Sequence, residues 1–182
     1  MEPEVSFLIS RRYLECHDWE EVSRWAVAEN ILQSRTINTA KRVSAELIYR
    51  LKMLNDDELS NLVEASFEER KIWLWIAICR AYRLVREFAV EVVRERYLSG
   101  VMTPLSLGSF DAFFEQKSAI EPIMAEISSS TCAKIRQKTF QLLMEAGIIT
   151  DAKVVSGMIV GEKILHSIPS DERDWFPVFI KG

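Results

Sequence analysis

The sequence predicts a mainly α-helical protein: a helical bundle with helix-turn-helix or winged-helix-like units and at most one small β-hairpin near the C-terminus. Three observations predict it. Apolar residues recur at helical spacing through most of the chain; the 6 Gly and 5 Pro are confined to a few breaks; and runs of β-branched residues are scarce. With 182 residues, 48% of them apolar, the chain can bury a substantial core. That excludes a disordered chain, a collagen-like one and a disulfide-stapled miniprotein.

The elements follow in order. A first helix is expected over 19–33, with Val22, Trp25, Ala26 and Leu32 on one side and Glu21, Arg24 and Glu29 on the other. A second begins at Asn38 or Thr39 and runs to Leu54, burying Val43, Leu47, Ile48 and Leu51. Asn55 and the acids of 56–58 start a third helix, which reaches Ala65. The fourth, 67–98, is long: Ser66 and Glu69 have the spacing of a capping box, and Gly100 closes it. Its apolar run over 72–79 is much shorter than the roughly 20 residues a membrane span needs, so it reads as core. Arg80, Arg83, Glu87, Glu91 and Arg94 mark one wet stripe along this helix.

Thr103-Pro104 and Gly108-Ser109 make 101–109 the expected linker. It divides the chain into an N-terminal bundle, 1–100, with a helix-turn-helix-like unit and the long central helix, and a C-terminal unit, 109–182. In the latter, 110–118 and 121–127 read as short helices and 131–146 as a longer one. The β-branched residues of 148–155 flank a turn-prone Asp151 and suggest a hairpin. Helix, helix, longer helix, hairpin is the order of a winged helix-turn-helix.

The net charge of −4 hides a pattern. Residues 34–54 carry 5 bases and 1 acid, and 131–141 carry 3 bases and no acid. In both windows hydroxyl or amide side chains precede cations in the first turns of a helix: Arg35, Thr39, Lys41 and Arg42 in one, Ser130, Thr131, Lys134, Arg136 and Lys138 in the other. Cations at a helix N-terminus oppose the macrodipole, which favours acids there by about 0.3–1 kcal/mol each. An external anion relieves the conflict, and amides, hydroxyls and Lys/Arg together suit a phosphate. The plain alternative is ordinary capping by Ser34, Asn38, Ser130 and Thr131, with solvated cations.

Catalytic signatures are absent. No G-x-G-x-x-G, P-loop or G-x-S-x-G occurs. His17 and His166 have no metal-ligand neighbour at helical spacing, so neither a metal nor a cofactor is expected. Cys16-His17 is read as a core thiol beside a surface imidazole and not as a dyad. Cys79 is packing, and Cys132 lies at a positive helix start, a setting that lowers a thiol pKa. The five Trp are read as core residues and not as base-stacking platforms. Cysteines without C-x-x-C spacing, and acids preceding Arg11 and Arg12 near the start, point to the cytoplasm and against a secretory signal.

Glu29-Asn30-Ile31-Leu32-Gln33, Asn38-Thr39-Ala40-Lys41-Arg42 and Arg50-Leu51 together resemble the first block of the BrxA family of the BREX phage-exclusion systems of bacteria. Residues 77–85 with Glu87-Phe88 and Glu91-Val92-Val93 resemble its central helix. Ser130-Thr131, Lys134-Ile135-Arg136, Leu143, Glu145-Ala146-Gly147 and Phe176-Pro177 resemble its C-terminal block. The similarity runs from about residue 19 to 177, with little of the family pattern before it. It implies a small helical protein of antiviral defence that binds duplex DNA and is not an enzyme, with other BREX proteins as further partners. The alternative expectations are a protein assembly adaptor of the defence complex and an RNA-binding helical module.

Overall fold

The computed structural model describes residues 1–176 and the backbone of 179–180. The chain forms two compact units, Met1–Tyr82 and Arg83–Gly182. Among the described residues it is mainly α, as the sequence predicts. Pro177, the last residue of the C-terminal resemblance, lies outside them.

The first unit has five helices: α1 (Pro3–Cys16), α2 (Trp19–Ala28), α3 (Ile37–Leu51), α4 (Asp56–Glu64) and α5 (Phe67–Ala81). Sequence reading missed α1, because its mixed stripe of Ser6, Ile9 and Ser10 lacks the continuous apolar face that marks a helix, yet all three are buried. Helix α2 stops five residues earlier than expected. Asn30 takes a left-handed φ of 44° and Gln33 one of 49°, and the Asn30 side chain clamps the turn by accepting from Ser34 N–H and donating to Ser34 C=O. The Ser66–Glu69 capping box forms as expected, and so does a second one at Asn55–Glu58. The apolar run of α5 is buried throughout, from Ile72 to Cys79.

The expected continuous helix over 67–98 is broken. Tyr82 is extended, at φ −128° and ψ 92°, and the two units divide there. The expected linker, 101–109, lies inside the second unit: Leu105 is fully buried and its N–H donates to Lys153 C=O. A Thr-Pro pair reads as a break in any setting, and here the break is packed. The wet stripe divides with the helix, since Arg80 turns inward within the first unit.

There, Arg80 grips both oxygens of the Glu58 carboxylate at 2.6 and 2.7 Å and also donates to Met53 C=O at 2.8 Å. The same carboxylate accepts the Asn55 N–H of the capping box. Glu58 is 3% and Arg80 18% exposed at the side chain, so the pair is largely withdrawn from water. Helix α4, the turn before it and the end of α5 are thereby tied through one carboxylate.

The second unit begins with α6 (Arg83–Phe88), a π-helical turn (Ala89–Arg94) and α7 (Glu95–Leu98). Next come α8 (Leu107–Ser118), α9 (Pro122–Ala125) and α10 (Ser129–Glu145). Phe88 is fully buried and meets Phe110 and Phe113 edge-on at 5.1 and 5.3 Å, with Phe140 at 6.1 Å. This places the π turn directly after the aromatic core. The expected hairpin is reduced to one antiparallel bridge, Ile149 with Val155, flanked by hydrogen bonds Thr150–Val154 and Ser156–Ile148. Beyond it come β1 (Met158–Ile159), α11 (Glu162–Ser167), a 3-10 turn (Ser170–Trp175) and β2 (Phe179–Ile180). Strands β1 and β2 pair in parallel, a feature that two-residue strands do not announce in sequence.

A charged lattice covers one side of this unit. Lys117 bridges Glu87 and Glu91 at 2.9 and 2.6 Å, and Arg83 bridges Glu87 and Glu121. Burial raises the Glu87 pKa, but hydrogen bonds from Lys117 and Arg83 outweigh it and hold the carboxyl below its usual range.

Two outcomes are expected. Glu58→Ala, which strands Arg80 in a largely buried site, lowers stability in urea unfolding by about 3–5 kcal/mol, whereas Lys71→Ala, which breaks the exposed Lys71–Glu68 pair, costs less than about 1 kcal/mol. Because Glu87 is depressed in the folded state, its contribution is present above the unfolded carboxyl pKa and is lost as pH falls through the lower folded value. Acid unfolding of Glu87→Gln therefore has a shallower pH dependence in that window than wild type.

Candidate nucleic-acid interface

The first basic window opens α3. Its N-cap is Thr36, whose Oγ1 accepts from Thr39 N–H at 3.2 Å and donates to Thr39 Oγ1 at 2.9 Å. The helix therefore starts at Ile37, one or two residues before the expected position, and Thr39 supports the cap from the first turn. Arg35, Thr39, Lys41 and Arg42 are all exposed. No acid in the first turn answers the cations, and Arg35, Lys41 and Arg42 make no ion pair among the described residues. Lys41 and Arg24 line a cleft of about 520 Å³ between α2 and α3 together with Ser23, Val27, Ala28 and Ala45.

The second window opens α10. Its N-cap is Ser128, whose Oγ accepts from Thr131 N–H at 3.3 Å and lies 2.9 Å from Thr131 Oγ1 and 3.1 Å from Ser130 Oγ. Three hydroxyls thus gather around one helix start, with no acid in its first turn. Ser130, Thr131, Lys134 and Lys138 are exposed. Lys134 has no ion-pair partner among the described residues, and Lys138 donates to Gln141 at 3.2 Å.

Arg136 differs from the other eight predicted site residues. Its Nη1 donates to both oxygens of Asp111 at 2.5 and 2.6 Å, tying α10 to α8. The guanidinium is only partly exposed and already carries its counter-charge. Cys132 beside it is also corrected. Burial raises the thiol pKa, Asp111 raises it further, and Arg136 only partly opposes them. The expected lowering fails first because the thiol is partly buried, and then because Asp111, distant in sequence, folds against the helix.

Residues that sequence reading missed join the second window. A cleft of about 550 Å³ runs along α10, lined from that helix by Ala133, Lys134, Arg136, Gln137, Phe140, Gln141 and Met144, with Leu107 and Lys153 also lining it. Lys153 has a left-handed φ of 60° at the end of the small bridge-closed turn, and Thr150 C=O accepts its N–H. A lone Lys after Asp151-Ala152 gives no sequence signal, since only the turn brings it to the helix. Among the described residues no cluster of His, Cys, Asp or Glu is arranged to hold a metal ion. No helix among them is long and apolar enough to cross a membrane.

These features define a class: a two-unit helical protein in which each unit presents one exposed, hydroxyl-capped, cationic helix start. The family follows from comparison. The BrxA family profile matches residues 6–166, so the chain belongs to the BrxA family. The match takes in most of α1 and ends short of the Phe176-Pro177 segment. The "BREX protein BrxA" of Bacillus cereus (strain H3081.97) is 30% identical over 149 residues, covering 82% of this chain and 72% of that protein. The "BREX protein BrxA" of Escherichia coli O9:H4 (strain HS) is 30% identical over 131 residues, covering 72% of this chain and 60% of that one. A crystal structure of an uncharacterized protein from Magnetospirillum magneticum superposes with a TM-score of 0.81 at 19% identity, over 96% of this chain and 90% of that one. It shares the fold.

The cluster of Asp111, Arg136 and Cys132 has a chemical readout. Asp111→Asn removes the carboxylate that raises the Cys132 pKa and leaves Arg136, so the thiolate fraction at a given pH rises. Alkylation of Cys132 by iodoacetamide near pH 8, followed peptide by peptide in a mass spectrometer, is expected to be faster in the variant. Cys79, which is fully buried, should stay unmodified in both proteins.

Proposed function

We propose that this chain is a non-enzymatic accessory protein of a BREX phage-defence system, acting in the cytoplasm and binding duplex DNA by its phosphates. Its relatives' name and its family support the defence role, with other BREX proteins as further partners. One observation carries the DNA reading. The cap hydroxyls and the exposed Lys134 and Lys138 lie along α10, and Lys153, at a turn of the same unit, lines the cleft that Lys134 lines. Two helices, a longer helix and a bridged turn follow the chain order of a winged helix-turn-helix, in which the longer helix meets DNA. Helix α3 supplies a second cationic start through Arg35, Lys41 and Arg42.

In this reading phosphates are held by Lys134, Lys138 and Lys153, with Ser130, Thr131 and the first amides of α10 completing the cradle. Arg136 positions the helix through Asp111 and adds little to the external field. These phosphate contacts carry no base information themselves and weaken steeply with salt.

Binding to labelled duplex DNA of mixed sequence across a salt series tests this. Lys134→Ala/Lys138→Ala and Lys41→Ala/Arg42→Ala should both weaken binding and flatten the log–log salt slope by about 0.9 for each phosphate no longer neutralised. Arg136→Ala should change the slope least. Wild type that fails to bind at low salt overturns the DNA reading.

A specific observation favours a second reading, that of an assembly adaptor. The cleft between α2 and α3 is lined by the apolar Val27, Ala28 and Ala45 together with the cationic Arg24 and Lys41, which suits an acidic, amphipathic protein segment. Under that reading an acidic BREX protein displaces DNA from Lys41 and Arg42 without releasing it from α10.

A further inference from the structure

We propose that Gln137 and Ala133 are a sequence-reading pair on α10, selecting an A·T base pair beside a thymine in the major groove. The inference rests on the DNA reading above and adds base preference to it.

Of the polar neighbours on this stretch of α10, Arg136 and Gln141 are committed within the unit, Thr139 is buried, and Lys134 is limited to one role. Arg136 is bound to Asp111. The two halves of the Gln141 amide are both engaged, its oxygen accepting from Lys138 and its nitrogen donating to Glu145 at 2.6 Å. Lys134 can only donate. Gln137 is exposed and lines the cleft, and its amide makes no hydrogen bond among the described residues. It therefore presents a donor and an acceptor side by side, the pattern that matches N6 and N7 of adenine; glutamine makes this bidentate pair with adenine.

Ala133 lies four residues earlier, one helical turn away and on the same face. It too is exposed and lines the same cleft. An exposed methyl one turn from the amide can meet the C5-methyl of thymine, the apolar mark of that base in the major groove. Lys134 and Lys153 line the same cleft, as do the Asp111-bound Arg136 and the engaged Gln141, so the amide of Gln137 and the methyl of Ala133 share one surface with phosphate-holding cations. The arrangement separates roles by side-chain chemistry: lysines set affinity, and Gln137 with Ala133 sets preference.

The test selects bound sequences from a randomised duplex pool and then measures affinities. Wild type is expected to enrich A·T at one position. Gln137→Ala should lose about fivefold to a hundredfold of that preference, with an unchanged salt slope. Lys134→Ala should keep the preference and lose slope. Replacing thymine by deoxyuridine at the neighbouring position should weaken wild-type binding and leave an Ala133→Gly variant unaffected. Gln137 is solvent-exposed, and circular dichroism establishes that its variant is folded.

Two results overturn the inference while leaving the DNA reading intact: wild type that binds all duplexes equally, or Gln137→Ala with the wild-type selection profile. Wild type that binds no duplex overturns the DNA reading itself, and the inference with it.

Discussion

The first unit depends on what the Glu58 carboxylate is made to do. One oxygen closes the Asn55 capping box and also accepts from Arg80, while the other accepts the second arm of the guanidinium. A planar fork facing a planar carboxylate is the geometry in which two charges can leave water without being stranded. Because Arg80 also takes Met53 C=O, the turn after α3 is fixed by the same group. Helix α3, with its cationic start, is thus anchored at its far end, where Leu51 is fully buried. A site built on a rigid helix can keep its first turn solvated and unpaired without losing its direction.

The second unit reaches the same end by another route. Its core is aromatic, and its charges are spread over the surface in the lattice of Arg83, Glu87, Glu91 and Lys117. Across both units arginines tend to be spent inward. Arg50 donates to Glu46 and Tyr82, Arg96 to the carbonyls of Thr103 and Pro104, and Arg136 to Asp111. Arg35 and Arg42 are exceptions, and they stand in the first basic window. The lysines of α10, compact charges on flexible stems, remain outward. That division explains how an acidic chain can present local positive potential: what matters is which cations are already answered.

The helical class, the capping box at Ser66, the buried run of α5 and the two cationic helix starts were legible in the sequence, because each follows from spacing within a few residues. What was not legible depends on partners far along the chain. Tyr82 breaks a helix whose pattern continues on both sides, with Arg80 drawn to Glu58 before the break and Arg83 to Glu87 after it. Leu105 converts an apparent linker into core. Asp111 answers Arg136, and burial together with that carboxylate reverses the expected shift of Cys132. Lys153 reaches the α10 cleft only because of a tight turn with one left-handed residue. Spacing reports which face a side chain occupies; it does not report what is already waiting there.

The π-helical turn over Ala89–Arg94 bears on the rest of its unit in another way. A π turn holds one residue more than the hydrogen-bond ladder of an α-helix requires, so side chains after it are rotated by about 100° from where an unbroken helix would carry them. Phe88 and Val93 are both buried although five positions separate them, and Arg94 emerges where it can meet Asp174. The turn works as a phase shifter: it redirects every side chain after it while the chain stays helical through Leu98.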